Sequence, residues 1–173
     1  MTRDGKTSVL RATKSPWVHP RFSPDGRKLA LTIDDGGQRD IWVYDPARDT
    51  LTQLTFDSAD DALPVWTPDG KQILTTFPGL GVERHAWLYD RAAATARQVT
   101  SAGDAITLAF SDDGTRAVLG MHSGATSGLW LTRLGSGAAP EPLATKGGAG
   151  MAPFAMDWRG SQVLYSGIAS QEG

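Results

Sequence analysis

The residues best suited to chemistry are acidic side chains in one short segment. Asp57, Asp60 and Asp61 lie within five consecutive positions, and carboxylate oxygens are ligands for hard cations such as Ca²⁺. The segment lacks the alternating acidic positions and the distal glutamate of a calcium loop. A solvated acidic loop is the simpler interpretation, and we expect no metal site there.

The sequence indicates neither a metal cluster nor a catalytic nucleophile elsewhere. His19, His85 and His122 lie at non-equivalent positions, so their spacing suggests no shared metal. The absence of cysteine excludes a thiolate zinc site, a cysteine nucleophile and a disulfide scaffold. There is no Gly-x-Ser-x-Gly elbow, and Gly5-Lys6-Thr7 lacks the earlier glycine of a phosphate-binding loop. We therefore expect a chain that is not an enzyme and binds no cofactor.

The composition argues against two further classes of partner. The chain has 173 residues, of which 40% are apolar and 21% charged, as is typical of globular proteins. A net charge of −2 leaves no surplus of Lys and Arg for nucleic acid or an anionic membrane. The apolar runs are too short to cross a bilayer, and Met1–Lys6 does not lead into the apolar stretch of a signal peptide.

A repeat of about 44 residues predicts the elements that position these side chains. Its turn motif occurs at Pro20–Gly26, Pro64–Gly70 and Leu108–Gly114, with a degenerate copy at Phe154–Gly160. The glycines are 44, 44 and 46 residues apart. In Ser-Pro-Asp-Gly the proline presets φ and the glycine accepts a positive φ, so the chain reverses between two strands. The aspartates of the motif are therefore predicted to form turns, not to catalyse: Asp25, Asp69 and Asp113.

Each repeat predicts four short strands. The run after each turn is apolar at most positions, as in a strand packed on both faces; these runs are Leu29–Ile33, Ile73–Phe77, Ala117–Met121 and Val163–Tyr165. A third strand carries tryptophan, at Ile41–Asp45, Ala86–Asp90 and Leu129–Arg133. A fourth strand ends at Leu54, Val99 or Leu143. Thr7–Leu10 lies 44 residues before the strand that ends at Leu54, and is predicted to be the fourth strand of a preceding unit.

Units of four strands without helical periodicity are the signature of β-propeller blades. We predict an all-β propeller segment of about four blades, each of four antiparallel strands, within a larger propeller. The single domain 1–173 divides into a strand and loop at 1–18, blades at 19–56, 63–100 and 106–145, and a partial blade at 152–173. A β-sandwich with chance similarity is the alternative, but the turn, the tryptophan strand and the closing Leu or Val recur in phase.

The same repeat predicts where aromatic side chains pack. Trp66 is expected to lie buried between blades, with Phe22 and Phe110 in equivalent places. Trp42, Trp87 and Trp130 also recur in phase, which favours packing over a sugar-binding platform. Because one strand, three full blades and two further strands leave faces unstacked, we expect the chain to associate with itself or to be marginally stable.

The repeat resembles the TolB-like, WD-repeat-like propeller repeat of bacteria over nearly the whole chain. The resemblance rests on an aromatic residue followed by Ser/Thr-Pro-Asp-Gly, a β run, Ile-Trp-Val-Tyr-Asp and Leu-Thr. The stretch 39–57, with 64–70, is most similar to propellers that follow bacterial serine/threonine protein kinase domains. The resemblance implies a non-catalytic protein-binding or sensor module, on the periplasmic or extracytoplasmic side. The alternative is the propeller that gates a prolyl-oligopeptidase-like serine peptidase.

The strand order places the loops of each blade on two faces. The Asp-Gly turns lie on one, here named the turn face. The loops from second to third strand, and from fourth strand to the next blade, lie on the other, here named the loop face. Propellers usually bind through such variable loops, so we expect a protein or peptide partner there, without nucleic acid or membrane insertion. The predicted partner-binding residues are Asp34, Asp35, Arg39, Asp57, Asp60, Asp61, Glu83, Arg84 and Asp104.

Overall fold

The structure is a computed structural model of the chain. It describes residues 5, 9–10, 16–56, 60–76, 85–100, 104–123, 126–143 and 152–168. Within these ranges every regular element is a strand, and the strands form three antiparallel sheets of four and one of two. The prediction of an all-β chain built from four-stranded antiparallel units is confirmed.

The strands follow the repeat closely. Blade 1 contains β1 (Trp17–Phe22), β2 (Leu29–Asp34), β3 (Arg39–Asp45) and β4 (Thr50–Gln53). Blade 2 contains β5 (Ala62–Trp66), β6 (Gln72–Thr76), β7 (Ala86–Asp90) and β8 (Thr95–Gln98). Blade 3 contains β9 (Asp104–Phe110), β10 (Arg116–Ser123), β11 (Thr126–Arg133) and β12 (Glu141–Pro142). Blade 4 contains β13 (Ala152–Arg159) and β14 (Gln162–Ile168). In each complete blade the strands pair in chain order.

Aromatic side chains fill the interfaces between blades. Trp66 is 6% exposed and packs against Ala30, Ile41 and Val43 of blade 1. Its Nε1–H donates to the carbonyl of Arg21 in blade 1 at 3.0 Å. The buried indole nitrogen therefore has a hydrogen-bond partner across the interface. Phe110 is similarly buried in the cluster that joins blades 2 and 3. The predicted burial of these two aromatic residues is confirmed, and the sheets stack face to face as propeller blades do.

The prediction that Phe22 is buried in the same way is wrong. Phe22 pairs with Leu29 as Trp66 pairs with Ile73, so it has the equivalent position in its sheet. Its side chain is nevertheless 64% exposed, whereas Leu29 and Tyr44 on the same face of blade 1 are buried. Among the described residues no sheet packs on that side to cover Phe22 as well. The repeat fixes the direction of a side chain, but at this aromatic position burial also needs a neighbouring blade.

The fourth copy of the repeat has a shorter turn than the sequence alignment suggests. Alignment on Gly160 places Met156 opposite Trp66, but the structure puts Trp158 there. Trp158 pairs with Val163, five residues on, whereas Trp66 pairs with Ile73, seven residues on. Trp158 is 6% exposed and packs on blade 3. Two residues are therefore missing between the aromatic position and the glycine of this turn.

The three full turns share one set of hydrogen bonds. Ser23 donates its hydroxyl proton to Asp25 Oδ1 at 2.6 Å, and the Arg27 amide donates to the same oxygen at 3.0 Å. Thr67 with Asp69 and Ser111 with Asp113 repeat the hydroxyl bond at the same length. The predicted turn-forming role of these three aspartates is confirmed.

The strand predicted at Thr7–Leu10 is not found over the residues that the structure describes. Val9 and Leu10 lie outside any strand, and Thr7 and Ser8 fall outside the described ranges. Leu10 nonetheless lies beside blade 1, where its carbonyl accepts a long hydrogen bond from Tyr44 Oη at 3.4 Å. No described strand lies alongside it to complete a ladder. The domain boundaries remain predictions.

Candidate protein-binding face

The loop between β2 and β3 carries the most exposed charges among the predicted site residues. Asp34 Oδ1 accepts the Gly36 amide at 2.9 Å, and Asp35 Oδ1 accepts the Gly37 and Gln38 amides at 3.1 and 3.0 Å. The bonds from Gln38 and then Gly37 hold the pKa of Asp35 below its ordinary value. One oxygen of each carboxylate thus shapes the turn, and the other leaves its charge exposed on the loop face.

Arg39 and Asp60 form a clamp between blades 1 and 2. The Arg39 guanidinium donates to Asp60 Oδ2 through Nη2 at 2.8 Å and Nε at 3.2 Å, and its amide donates to Oδ1 at 2.9 Å. The side-chain bond from Arg39 is the main reason that the pKa of Asp60 is lowered. The Arg39 carbonyl in turn accepts the Asp61 amide at 2.7 Å. These side chains hold the connecting segment in place and largely cancel each other's charge.

Asp61 is placed inside the molecule, not on the loop surface. It is 2% exposed, and its Oδ1 accepts a weak hydrogen bond from Thr75 Oγ1 at 3.4 Å. A partner on the loop face therefore cannot reach it directly. Asp104 begins β9, pairs with His122 and is half-buried. Asp57, Glu83 and Arg84 lie outside the described residues.

A buried polar network beneath the loop face was missed by sequence reasoning. Asp40 is 8% exposed and accepts hydrogen bonds from Thr55 Oγ1 at 3.2 Å and Gln53 Nε2 at 3.0 Å. Thr55 Oγ1 also accepts the Ile41 amide at 3.0 Å, and Thr100 accepts the Ala86 amide at 2.9 Å in blade 2. The threonine after the closing Leu or Val was the available signal. In blades 1 and 2 it ties the end of the outer strand to the third strand of the blade.

A groove on the rim between blades 1 and 2 was also missed. It has a volume of about 400 Å³ and runs between β4 on one side and the β7–β8 hairpin on the other. Leu54 and Phe56 form part of one wall, and Tyr89 and Arg91 part of the other. The Arg91 guanidinium lies 5.3 Å from the centre of the Trp66 ring, so the groove opens above the aromatic contact that joins the blades.

The described residues contain no cluster of three or more His, Asp or Glu side chains that could hold a metal ion. Among the same residues no helix is long and apolar enough to cross a membrane.

Comparison with known proteins gives the fold a clear context. No protein-family model matches the chain. The Tol-Pal system protein TolB of Alcanivorax borkumensis is 39% identical over 72 residues, which cover 41% of this chain and 16% of that protein. The crystal structure of TolB from Acinetobacter baumannii matches with a TM-score of 0.69 and 22% identity, over 97% of this chain and 44% of that one. An oligogalacturonate lyase from Vibrio parahaemolyticus matches with a TM-score of 0.68 and 15% identity, over 94% and 50%.

These matches define the class of the chain as a segment of a β-propeller. The resemblance to TolB-like propellers is supported by the sequence of a curated TolB and by the shape of a solved one. The matched part spans less than a quarter of that curated relative, and the structural match spans under half of the solved TolB. The oligogalacturonate lyase is an enzyme with a similar fold, but at 15% identity this similarity shows the fold alone.

Proposed function

We propose that the chain is a non-catalytic, protein-binding segment of a TolB-like β-propeller, and that its loop face receives a partner on the extracytoplasmic side of a bacterial cell. The observation that carries this proposal is the exposed pair Asp34 and Asp35. Their charges stand exposed on the loop face, and this pair occurs there in blade 1 alone of the full blades. The turn-face aspartates are exposed as well, but they recur in the same turn of three blades.

The contrast between the two faces supports a binding role for one of them. On the turn face, Asp25, Asp69 and Asp113 make the same hydroxyl contact in three successive blades, as structural residues of a repeat do. On the loop face, the connections differ from blade to blade in length and sequence. Variable loops on a rigid scaffold are where proteins place recognition residues.

The charge of the loop face indicates what the partner presents. Arg39 is paired with Asp60, so the two neighbouring carboxylates at positions 34 and 35 leave a net negative charge at this edge. A partner with exposed Lys or Arg would be attracted at long range, and the attraction would weaken with salt. Because the curated relative is named a Tol-Pal system protein, proteins of that system are the first candidates.

Two narrower readings of the same fold remain alternatives. The chain would be the sensor propeller of a receptor-like kinase if a protein kinase domain shared its polypeptide. It would be the gating propeller of a serine peptidase if an α/β-hydrolase domain did. The curated TolB match favours neither of these, and the full reading frame decides between them.

The test removes the negative charges of Asp34 and Asp35 but keeps the hydrogen bonds of the turn between β2 and β3. Asp34→Asn with Asp35→Asn keeps an oxygen acceptor for the loop amides and removes both charges. Glu141→Gln with Asp157→Asn is the matched control, since it removes two exposed carboxylates away from the loop face. Wild-type and variant chains are used to capture Tol-Pal proteins, and the complexes are quantified at low and moderate salt.

We expect the loop-face variant to lose at least about tenfold in affinity, and the control to stay within about twofold. Equal losses in both variants would mean that only overall charge matters. Binding unaffected by Asp34→Asn with Asp35→Asn would refute the assignment of the loop face. Turnover of any peptide substrate by the purified chain would contradict the non-catalytic reading.

A further inference from the structure

The rim groove between blades 1 and 2 carries a set of residues that the repeat does not need. Equivalent positions follow from strand pairing: Tyr44 pairs with Leu51 in blade 1, and Tyr89 with Ala96 in blade 2. Blade 1 therefore has Leu where the groove has Ala96. The shorter side chain leaves space against the wall of the groove, which Ala96 lines.

Two further departures from the repeat lie in the same groove. Arg91 follows the last residue of β7, where blade 1 has Pro46 and blade 3 has Leu134. Phe56 lies two residues after the closing Leu54, where the next repeat has Ser101. Because the other blades form without an arginine or a phenylalanine at these places, the fold does not require them.

The side chain of Arg91 is half-buried, and its guanidinium has no carboxylate partner among the described residues. Its guanidinium lies 5.3 Å from the Trp66 ring centre, a contact that limits its freedom. The neighbouring Asp90 carboxylate is engaged by the Ala92 and Ala93 amides, each at 2.9 Å, and by Gln72 Nε2 at 3.2 Å. A guanidinium held in this way matches the geometry of a carboxylate ligand.

The rest of the groove is suited to an apolar side chain. Phe56 is 75% exposed although it is large and apolar, and Val43 and Leu54 line the groove with it. Beside them, β4 pairs with β3 alone among the described strands, so its outer edge can offer backbone groups to an extended chain. The groove could therefore receive a ligand that carries both an anionic group, opposite Arg91, and an apolar group, against Phe56 and Leu54.

We propose that this rim groove binds an extended peptide segment of a partner protein, in which an Asp or Glu side chain lies close to a large apolar side chain. The carboxylate meets Arg91, and the apolar side chain packs on Phe56 and Leu54. Asp34 and Asp35 do not line this groove, and the proposal does not depend on the function proposed for the loop face.

The test uses substitutions that the neighbouring blades already carry. A phage-displayed library of random heptapeptides is selected on the immobilised full chain, and the enriched pool is measured on wild type and variants. Arg91→Leu, Phe56→Ser and Ala96→Leu remove the cation, the apolar surface and the space, respectively. Arg97→Gln is the matched control, because Arg97 lies on the same strand as Ala96 but lines the cleft towards blade 3.

We expect the enriched peptides to share an acidic residue beside an apolar one. Their binding should fall at least about tenfold in each of the three groove variants and stay within about twofold in Arg97→Gln. Thermal unfolding identifies any variant that fails to fold. The proposal is then judged on peptide binding by the groove variants that do fold. Failure to enrich any pool, enrichment without an acidic residue, or equal binding to all variants would overturn the proposal.

Discussion

Trp66 shows how a single side chain holds two blades together. Its ring is buried against apolar residues of the preceding blade, and its N–H reaches a backbone carbonyl of that blade. Phe110 and Trp158 fill the corresponding places at the next two interfaces. Since a blade cannot bury both of its faces alone, much of the stability of the stack depends on these side chains.

Truncation of Trp66 to Ala should therefore destabilise the chain strongly. We expect a loss of about 3–5 kcal/mol, the usual range for a large aromatic residue in a core, measured by denaturant titration. Phe22→Ala is the control at the equivalent exposed position and should change stability by less than about 1 kcal/mol. A small loss for Trp66→Ala would mean that the indole does not join the blades.

The aspartate of the third turn should titrate at unusually low pH. Hydrogen bonds from the Ser111 hydroxyl, and then from Thr115, lower the pKa of Asp113 to about 2. A folded-state pKa below the unfolded value means that the ionised carboxylate stabilises the fold. This contribution is complete above about pH 4 and is lost as the pH falls towards 2.

NMR titration of the Asp113 carboxyl measures this directly, and Ser111→Ala provides the comparison. Removal of the hydroxyl donor should raise the pKa towards the ordinary aspartate value. The same pKa with and without Ser111 would show that the turn bond does not stabilise the carboxylate.

At the scale of the elements, the turns of successive blades contact one another around the turn face. A Cβ built on Gly70 would lie 3.6 Å from Pro24 Cδ, and one on Gly114 would lie 3.3 Å from Pro68 Cδ. In the third turn Asp112 replaces the proline, and its Oδ2 accepts the Gly160 amide at 2.8 Å. A hydrogen bond thus takes the place of an apolar contact where the fourth turn is shorter.

Removal of this hydrogen bond should loosen blade 4 from blade 3. Asp112→Ala is expected to destabilise the chain by about 1 kcal/mol, as for one hydrogen bond, while Asp112→Asn retains an acceptor and should lose less. Hydrogen exchange of the Gly160 amide, with thermal unfolding, measures both effects. Unchanged exchange in Asp112→Ala would contradict the contact.

The sequence allowed most strands to be placed within one or two residues, because turn motif and apolar runs recur together. It could not show that the fourth turn is two residues shorter, since Gly160 still aligned while Trp158 moved into the aromatic position. It also could not separate Asp61, which is buried, from Asp60, which is clamped by Arg39. Adjacent side chains in an irregular connection have no periodicity that reveals where they point.

The rim groove illustrates what a repeat can reveal once its register is known. Arg91, Phe56 and Ala96 were present in the sequence, but only strand pairing shows that they converge on one cleft. Comparison between blades then distinguishes residues that the fold requires from residues that it merely tolerates.

At the scale of the whole molecule, the described blades form a stack with apolar groups exposed at both ends. Phe22 is 64% exposed on blade 1, and Leu164 is 74% exposed on blade 4. In the interior of the stack, the aromatic equivalents of Phe22 are covered by a neighbouring blade. Exposed large apolar side chains at the ends of a stack favour association.

The 173-residue chain should therefore associate with itself as its concentration rises. Light scattering after size-exclusion chromatography should show a mass that increases with concentration, and Phe22→Ser should shift the equilibrium towards monomer. Phe56→Ser is the control, since it removes an aromatic residue that is at least as exposed from the rim instead of a blade face. A monomer at all concentrations would contradict the expectation.

The central claim is that successive repeats stack face to face as propeller blades, with Phe22 of blade 1 left exposed. Hydroxyl-radical footprinting with mass spectrometry tests it in one experiment, by comparing Phe22, Trp66, Phe110 and Trp158 in the folded chain, each normalised to the unfolded chain. At low protein concentration we expect strong protection of the two tryptophans and Phe110, and little protection of Phe22. Protection of Phe22 should grow only as concentration rises. Equal labelling of all four residues, or free labelling of Trp66 and Trp158, would contradict the stacked-blade account.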